Sequence, residues 1–393
     1  MIIVGAGPAG NAAAWKLADL GYEVVVLESR ERIGAKLCTG IVGRECLERY
    51  SAVEPRVYRK TGATSLVLPS GRTVRLDMER PYAYVIDRVH FVDALAQMAE
   101  KAGAVYARNR RVTGVGAGEQ GVWARTVANG TEEIYRGEAL LLASGFGSRF
   151  TKALGLGSIG DFVLGAQAEV TTNGLREMEL YLGRRFAPGF FGWLVPTFDG
   201  RGLVGLLTRR EPTAHLGRLI STLQSQGRIT EVTNRPSKWG IPLKPLPRTF
   251  GDRVLAVGDA AGQVKPTTGG GIYYSLLCAE QAAETLHRAF QRNDLSARQL
   301  GYYEARWKAK LGRELRVGFY ARRLYEALPD RQMERLMDSI AHNGVHRDVI
   351  QDRQSSFDWH ADLILKGMAH QAIRSVINPL KSLIPSLSWS RDV

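Results

Sequence analysis

Met1-Ile2-Ile3-Val4-Gly5-Ala6-Gly7-Pro8-Ala9-Gly10 decides how the whole chain is read. Ile2–Val4 is apolar without alternation, the pattern of a strand buried on both faces. The glycines follow at G-x-G-x-x-G spacing. Gly5 permits a tight turn, Gly7 lets the backbone approach a pyrophosphate, and Gly10 lets a helix pack closely on the strand. Ala12, Ala13, Trp15, Leu17, Ala18 and Leu20 then recur at helical spacing, and Gly21 ends the helix. Glu23 to Leu27 is a second buried strand, closed by Glu28, whose carboxylate is placed to accept from ribose hydroxyls. Strand, glycine turn, helix, strand and terminal acid together predict a Rossmann-like unit. Its helix N-terminus would receive the phosphates of a dinucleotide.

A second segment completes this unit. Val254–Val257 reads as another buried strand, followed by Gly258-Asp259 and then Lys265-Pro266-Thr267-Thr268-Gly269-Gly270-Gly271-Ile272. Asp259 at a strand end can accept hydrogen bonds from a polyol. Three glycines before a helix over about 271–292 leave free amides and a positive dipole facing whatever lies ahead. Gly116-Ala117-Gly118-Glu119-Gln120-Gly121 repeats the first glycine spacing, but an extended pattern follows it, so it is read as a hairpin loop. That removes the obvious candidate for a second dinucleotide domain.

The rest of the chain divides by pattern. Residues 62–86 and 105–136 alternate as short strands, 89–102 reads as a helix, and 140–142 as a third buried strand. Residues 163–210 are strand-rich, and the Pro-containing stretch 236–247 reads as a linker. From Tyr302 the pattern is helical and basic. The expected fold is α/β: a discontinuous Rossmann-like domain (1–150 and 248–300), an inserted β-rich substrate domain (151–247) and a helical C-terminal region (301–393). At 393 residues the chain can bury a large core. No apolar run approaches membrane-spanning length and no secretory leader is read. The cysteines Cys38, Cys46 and Cys278 form no CxxC pair, and the histidines show no metal or triad spacing. No metal site is expected, and a reducing, cytoplasmic setting is. The formal charge of +14 favours anionic partners. Nucleic acid is not expected, because no fold signature for it is present.

The paired motifs resemble those of the flavoprotein superfamily of aromatic hydroxylases, halogenases and geranylgeranyl reductases. The run Gly258–Ile272 resembles the geranylgeranyl reductase branch most closely. Asp87-Arg88-Val89-His90-Phe91-Val92-Asp93-Ala94-Leu95 is similar to that branch's Asp-Arg-x-x-Phe-Asp-x-x-Leu segment. Phe191-Gly192-Trp193-Leu194-Val195-Pro196 is similar to its Tyr-x-Trp-x-Phe-Pro segment, with Phe191 and Val195 as replacements. The resemblance covers roughly residues 1–325. It implies FAD, with Gly5, Gly7, Pro8, Ala9, Gly10 and Glu28 around the ADP half and Arg88 and Val112 flanking it. Gly258, Asp259, Gly269, Gly270, Gly271 and Ile272 would hold the ribitol and ring. Cys38, Thr39 and Gly40 match the branch's Cys-Gly-Glu-Gly loop in part. Ser144-Gly145 stands where hydroxylases often have Asp-Gly, which speaks against hydroxylation.

The implied reaction is reduction of isoprenoid C=C bonds on a lipid, a prenyl diphosphate or a pigment. Phe190, Phe191, Trp193, Val195 and Pro196 are expected to line an apolar slot, although strand aromatics are usually core. Cys38 is the candidate catalytic proton donor, with packing as its ordinary alternative. NAD(P)H or a reduced ferredoxin would supply electrons. Rival readings are a monooxygenase or halogenase, and a non-redox flavin-bound isomerase or cyclase. The halogenase reading would want a lysine in context, which Lys36 and Lys60 lack. The basic, aromatic stretch Arg306–Arg335 and the apolar tail Ala361–Trp389 suggest peripheral contact with an anionic membrane, or a solvated face and a cap on the core.

Overall fold

Short, uniformly apolar strands are stable only when both of their faces are covered, and the first sheet obeys that rule. Its order is Phe250–Gly251, Val254–Ala256, Leu140–Leu142, Ile2–Val4, Val25–Leu27 and Val105–Ala107. All neighbours pair in parallel except the edge strand Phe250–Gly251. The computed structural model describes residues 1–35, 38–77, 80–198, 200–342, 356–370 and 373. The helices are α1 (Pro8–Asp19), α2 (Arg44–Arg49), α3 (Arg88–Lys101), α4 (Phe150–Ala153), α5 (Pro212–Ser225), α6 (Ile272–Gln291), α7 (Ala297–Ala327), α8 (Asp330–His342) and α9 (Ala361–Ala369).

Helices α1, α3, α6 and α7 cover one face of the parallel sheet, burying Leu17, Phe91, Tyr274 and Trp307 in one core. Trp307 resolves its polar edge by donating to Thr249 Oγ1 at 3.0 Å. A three-stranded meander (Arg111–Gly118, Gly121–Ala128, Thr131–Gly137) lies over the other face through Val115, Val122 and Ala124. The second glycine-spaced motif, Gly116–Gly121, is the hairpin of this meander, with Gly118 paired to Gly121.

A second sheet runs Ile229–Val232, Phe162–Thr172, Arg201–Thr208, Gly192–Pro196, Met178–Tyr181, Ala63–Val67 and Thr73–Asp77. Its last two strands come from the segment that the sequence reading assigned to 1–150. The stretch read as a linker contains a further strand, Ser237–Pro242, antiparallel to Phe162–Gln167. The prolines at 236, 242, 245 and 247 masked it, since proline punctuates loops more often than strands. Its indole has a seat: a methyl on Gly165 would lie 2.7 Å from the Trp239 ring. Helix α5 packs Leu216, Leu219 and Leu223 against this sheet.

The basic stretch Arg306–Arg335 falls on α7 and α8, where Arg322 is buried and Trp307 is core. The described part of the tail packs instead of standing free: Ile373 is buried and Leu363 and Met368 lie against Leu324 and Leu328. The rest of Ala361–Trp389, and Lys36, lie outside the described residues. Among the described residues no helix is long and apolar enough to cross a membrane.

Candidate active site

Two helices of this fold begin at glycine, without a side-chain cap and without an acid in the first turn. Helix α1 starts after Gly7 and α6 after Gly271. An uncapped helix N-terminus presents unpaired amides and a positive dipole, an arrangement that an anion completes. Both ends open on the same cavity, of about 590 Å³. At the α1 end, Gly5 has φ +103° and a methyl there would lie 2.5 Å from the Ala143 carbonyl oxygen. A methyl on Gly10 would overlap the Gly5 carbonyl oxygen, so helix and strand touch through bare backbone.

Glu28 is held rigidly at this end. Its Oε2 accepts from the Ala6 amide at 2.9 Å, and its Oε1 accepts from the Arg30 amide at 2.9 Å and the Ser29 hydroxyl at 3.1 Å. A carboxylate has about four acceptor positions, so the outward side still has capacity for a ribose hydroxyl. Arg88 opens α3, whose N-terminus Asp87 caps through the His90 amide. It is nearly buried, donates to the Gly34 carbonyl at 2.8 Å and lines the cavity. Its charge therefore faces the cleft and not a surface partner alone. The Ser144 hydroxyl also lines the cavity, buried and without a protein partner.

At the α6 end Asp259, Thr268, Gly269, Gly270, Gly271 and Ile272 form the wall. Beyond them the cavity changes character. Met178, Leu180, Phe191, Trp193, Leu207, Trp239 and Ile241 from the second sheet and its edges, with Phe146 from the loop after Leu140–Leu142, line an apolar lobe. Glycines make this lobe possible. Gly205 stands directly across from Trp193, and a methyl on it would come within 2.5 Å of the indole. A methyl on Gly240 would overlap the Phe146 ring. The Gln167 Oε1 accepts from Trp193 Nε1 at 3.1 Å and from Thr39 Oγ1 at 2.8 Å. That fully buried glutamine ties the Cys38–Gly40 loop to the slot wall.

The segment 356–360 returns to this end of the cavity. Phe357 lines it. His360 Nε2 sits 2.8 Å from the Phe357 carbonyl, which only accepts, so Nε2 carries the proton and Nδ1 accepts from Thr267 Oγ1 at 2.6 Å. Burial first, and the nearby Lys265 cation second, push this imidazole down to about 3. The unfolded chain takes up that proton near pH 6.5 and the folded chain does not. Stability contributed by neutral His360 is therefore present above about pH 6.5 and lost as pH falls toward 3. Between pH 7 and 5 the fold is expected to lose roughly 1–2 kcal/mol through this group. Urea titrations of the parent and His360→Asn at both pH values test it; equal slopes in the two proteins would remove His360 as the cause.

A family model described as Lycopene cyclase protein matches residues 1–339. Digeranylgeranylglycerophospholipid reductase 2 of Methanopyrus kandleri is 30% identical over 378 residues, covering 89% of this chain and 92% of its own. The chain belongs to the geranylgeranyl reductase family, in the sequence group that the lycopene cyclase model describes. A geranylgeranyl bacteriochlorophyll reductase-like structure from Thermoplasma acidophilum has the same fold, with TM-score 0.82 at 23% identity over 98% of each chain. A p-nitrophenol 4-monooxygenase from Pseudomonas putida shares the fold more distantly, with TM-score 0.68 at 18% identity over 89% of this chain and 96% of its own.

The geranylgeranyl reductase cofactor, FAD, fits the residues present. Two uncapped helix ends, a preset carboxylate and an orphan hydroxyl face one continuous cleft. Of the residues assigned to FAD from sequence, Gly5, Gly7, Pro8, Ala9, Glu28, Cys38, Thr39, Gly40, Arg88, Val112, Gly258, Asp259, Gly269, Gly270, Gly271 and Ile272 line the cavity. Gly10 lies behind it, at the helix–strand contact. Of the assigned slot residues, Phe191 and Trp193 line it. Phe190, Val195 and Pro196 do not. Phe190 is buried with its ring stacked on Phe191 and the Arg322 guanidinium 4.7 Å from its centroid. Val195 packs inside the core, and Pro196 closes the strand by pairing with Gly202. Trp239, Ile241, Phe146, Met178 and Leu207 were not singled out from sequence: Met178 and Leu207 fell on strands, and Trp239 and Ile241 in the stretch read as a linker.

Proposed function

We propose that this chain is an FAD-dependent oxidoreductase that saturates C=C bonds of a geranylgeranyl chain borne by a glycerophospholipid. The observation that supports it most is the continuity of the dinucleotide cleft with an apolar, aromatic-walled slot. The family membership supports it independently. Each saturated bond takes up one hydride and one proton. When bound, reduced FAD supplies the hydride. The chain's own task is to hold an uncharged chain still and dry, since an isolated alkene has no carbonyl to absorb charge. Trp193, Trp239 and Phe146, seated on Gly205, Gly165 and Gly240, do this as rigid walls together with Phe191. The proton is assigned to Cys38, a free thiol in the cavity wall beside the Thr39–Gln167 tether.

Electrons are proposed to come from NAD(P)H bound transiently or from a reduced ferredoxin. The hairpin at Gly116–Gly121 supports a transient partner, because it offers no helix N-terminus for a second dinucleotide. The protein is read as cytoplasmic, meeting an anionic membrane only at its surface. Its +14 charge and the exposed Arg30, Arg32, Arg111 and Arg149 on the cavity rim support that contact. The cofactor domain is assigned to 1–150 and 248–300 without the strands Ala63–Val67 and Thr73–Asp77, which join the sheet of the substrate domain at 151–247.

The deciding experiment is anaerobic. The flavoprotein is reduced chemically, mixed with the unsaturated archaeal-type phospholipid or geranylgeranyl diphosphate, and the product weighed by mass spectrometry. Mass gain in steps of two hydrogens is expected, greatest for the phospholipid. An isomeric product of unchanged mass would favour the cyclase reading that the family model's description raises. Substrate-dependent oxygen uptake on admitting air, without mass gain beforehand, would favour a monooxygenase.

A further inference from the structure

The turn in front of α6 is held by a part of the chain some ninety residues further on. Lys265 is buried with its side chain 4% exposed, and Asp358 is fully buried at 0%. The Lys265 ammonium donates to the Phe357 carbonyl at 2.7 Å and to Asp358 Oδ1 at 3.2 Å, and lies 4.6 Å from the Phe357 ring centroid. Asp358 Oδ1 also accepts from the Gly43 amide at 3.3 Å; a methyl on Gly43 would collide with this carboxylate. Lys265 is itself the base of the turn: its amide donates to the Gly270 carbonyl at 3.1 Å, and its carbonyl accepts from the Gly269 amide at 2.9 Å. Thr267 is tied to His360, and Glu314 of α7 accepts from the His360 and Ala361 amides at 2.8 and 2.9 Å. Neither Lys265 nor Asp358 lines the cavity, while Gly269, Gly270, Gly271 and Phe357 do.

We propose that residues 356–361 are a strap that locks the Lys265–Gly271 turn, with Lys265 and Asp358 as positioning residues for the flavin ring. The proposal rests on the FAD reading given above. A buried charge is stable only while its partner is present, so the pair makes strap and turn conditional on each other. Backbone amides that stabilise charge must be fixed beforehand to be effective. Gly269, Gly270 and Gly271 have no side chains of their own, and within the turn the Thr268 hydroxyl accepts from the Gly270 amide at a long 3.3 Å. By reciprocity, a ligand that needs the ordered turn must tighten the strap.

The first test uses the parent chain. Hydrogen exchange of peptides spanning 356–361 is followed in apo protein and after FAD addition, with FAD binding measured separately by titration. Exchange is expected to slow at least tenfold in the strap. FAD binding without strap protection would overturn the proposal alone; absence of FAD binding would overturn the cofactor reading instead. The second test removes the tie without leaving a lone charge, in Lys265→Met/Asp358→Asn. It leaves Phe357 itself unsubstituted while removing its bond to Lys265. FAD is expected to bind at least tenfold more weakly, with a changed visible spectrum and reduction potential. Affinity within twofold and an unchanged spectrum would reduce the pair to a structural role. Should that variant not fold, Thr267→Val cuts only the His360 tether and is expected to move affinity the same way, by a smaller factor; no movement there would also count against the strap.

Discussion

Gly10→Ala protein is expected to purify with little or no FAD. The added methyl would overlap the Gly5 carbonyl oxygen and approach the Ala143 side chain to 3.3 Å. Neither a carbonyl in a strand turn nor the methyl of a half-buried alanine can rotate away as a long side chain could. Relief requires α1 to move off the strand. That helix is packed by Ala12, Ala13, Ala14 and Leu17 into the main core, so the move also costs packing. The amides at its N-terminus are then no longer where the phosphates need them. A loss of about 100-fold in FAD affinity, about 2.7 kcal/mol, is expected. Titration of apo protein with FAD measures it. Gly217→Ala is the control: it sits exposed in α5 with no atom within 4 Å of the new methyl. It is expected to bind FAD like the parent and to gain about 0.5–1 kcal/mol of stability, as Gly→Ala does inside a helix. Parent-like FAD affinity in Gly10→Ala would mean that the pyrophosphate is not received at this turn.

The second large effect falls on the substrate. Gly205→Val is expected to leave FAD affinity within threefold and to lower kcat/KM for a geranylgeranyl substrate about 100-fold, again about 2.7 kcal/mol of transition-state stabilisation. Gly205 and Trp193 are register partners on adjacent strands, and the valine would occupy the indole's seat. The indole must then break its bond to Gln167 and turn into the slot. Because the cause is a clash, shrinking the indole should undo part of it. Trp193→Leu combined with Gly205→Val is expected to recover activity relative to Gly205→Val alone, a coupling that a double-mutant cycle quantifies. Additive losses would show that the valine does not act through the Trp193 ring.

The two motifs were legible because each is local. Ile2–Gly10 must turn tightly beside a strand, and Gly258–Ile272 must enter a helix without side chains in the way. Those demands are written in consecutive residues, so glycine spacing, helix onset and terminal acid could be read without coordinates. The family reading followed from them, and so did the hairpin at Gly116–Gly121, since no helical period follows it.

The slot was legible only in part for a geometric reason. Phe190 and Phe191 are neighbours, yet one ring is core and the other faces the cavity; which is which depends on the sheet's position over the cleft. Val195 shares a strand and a face parity with Trp193 but lies beyond the cavity's reach. Trp239 was hidden in a proline-rich stretch whose strand lays its ring over Gly165.

The strap lies furthest from anything that sequence order could show. Lys265 is one letter of the Gly258–Ile272 motif, and Asp358 belongs to no motif at all. Their pairing is a long-range contact between a turn and a distant segment, stabilised by burial that neither segment possesses alone. Local patterns therefore specified the fold, the cofactor turn and the family. The shape of the slot and the anchoring of the flavin-facing turn were decided in tertiary structure, because burial and charge pairing are properties of residues brought together and not of residues in a row.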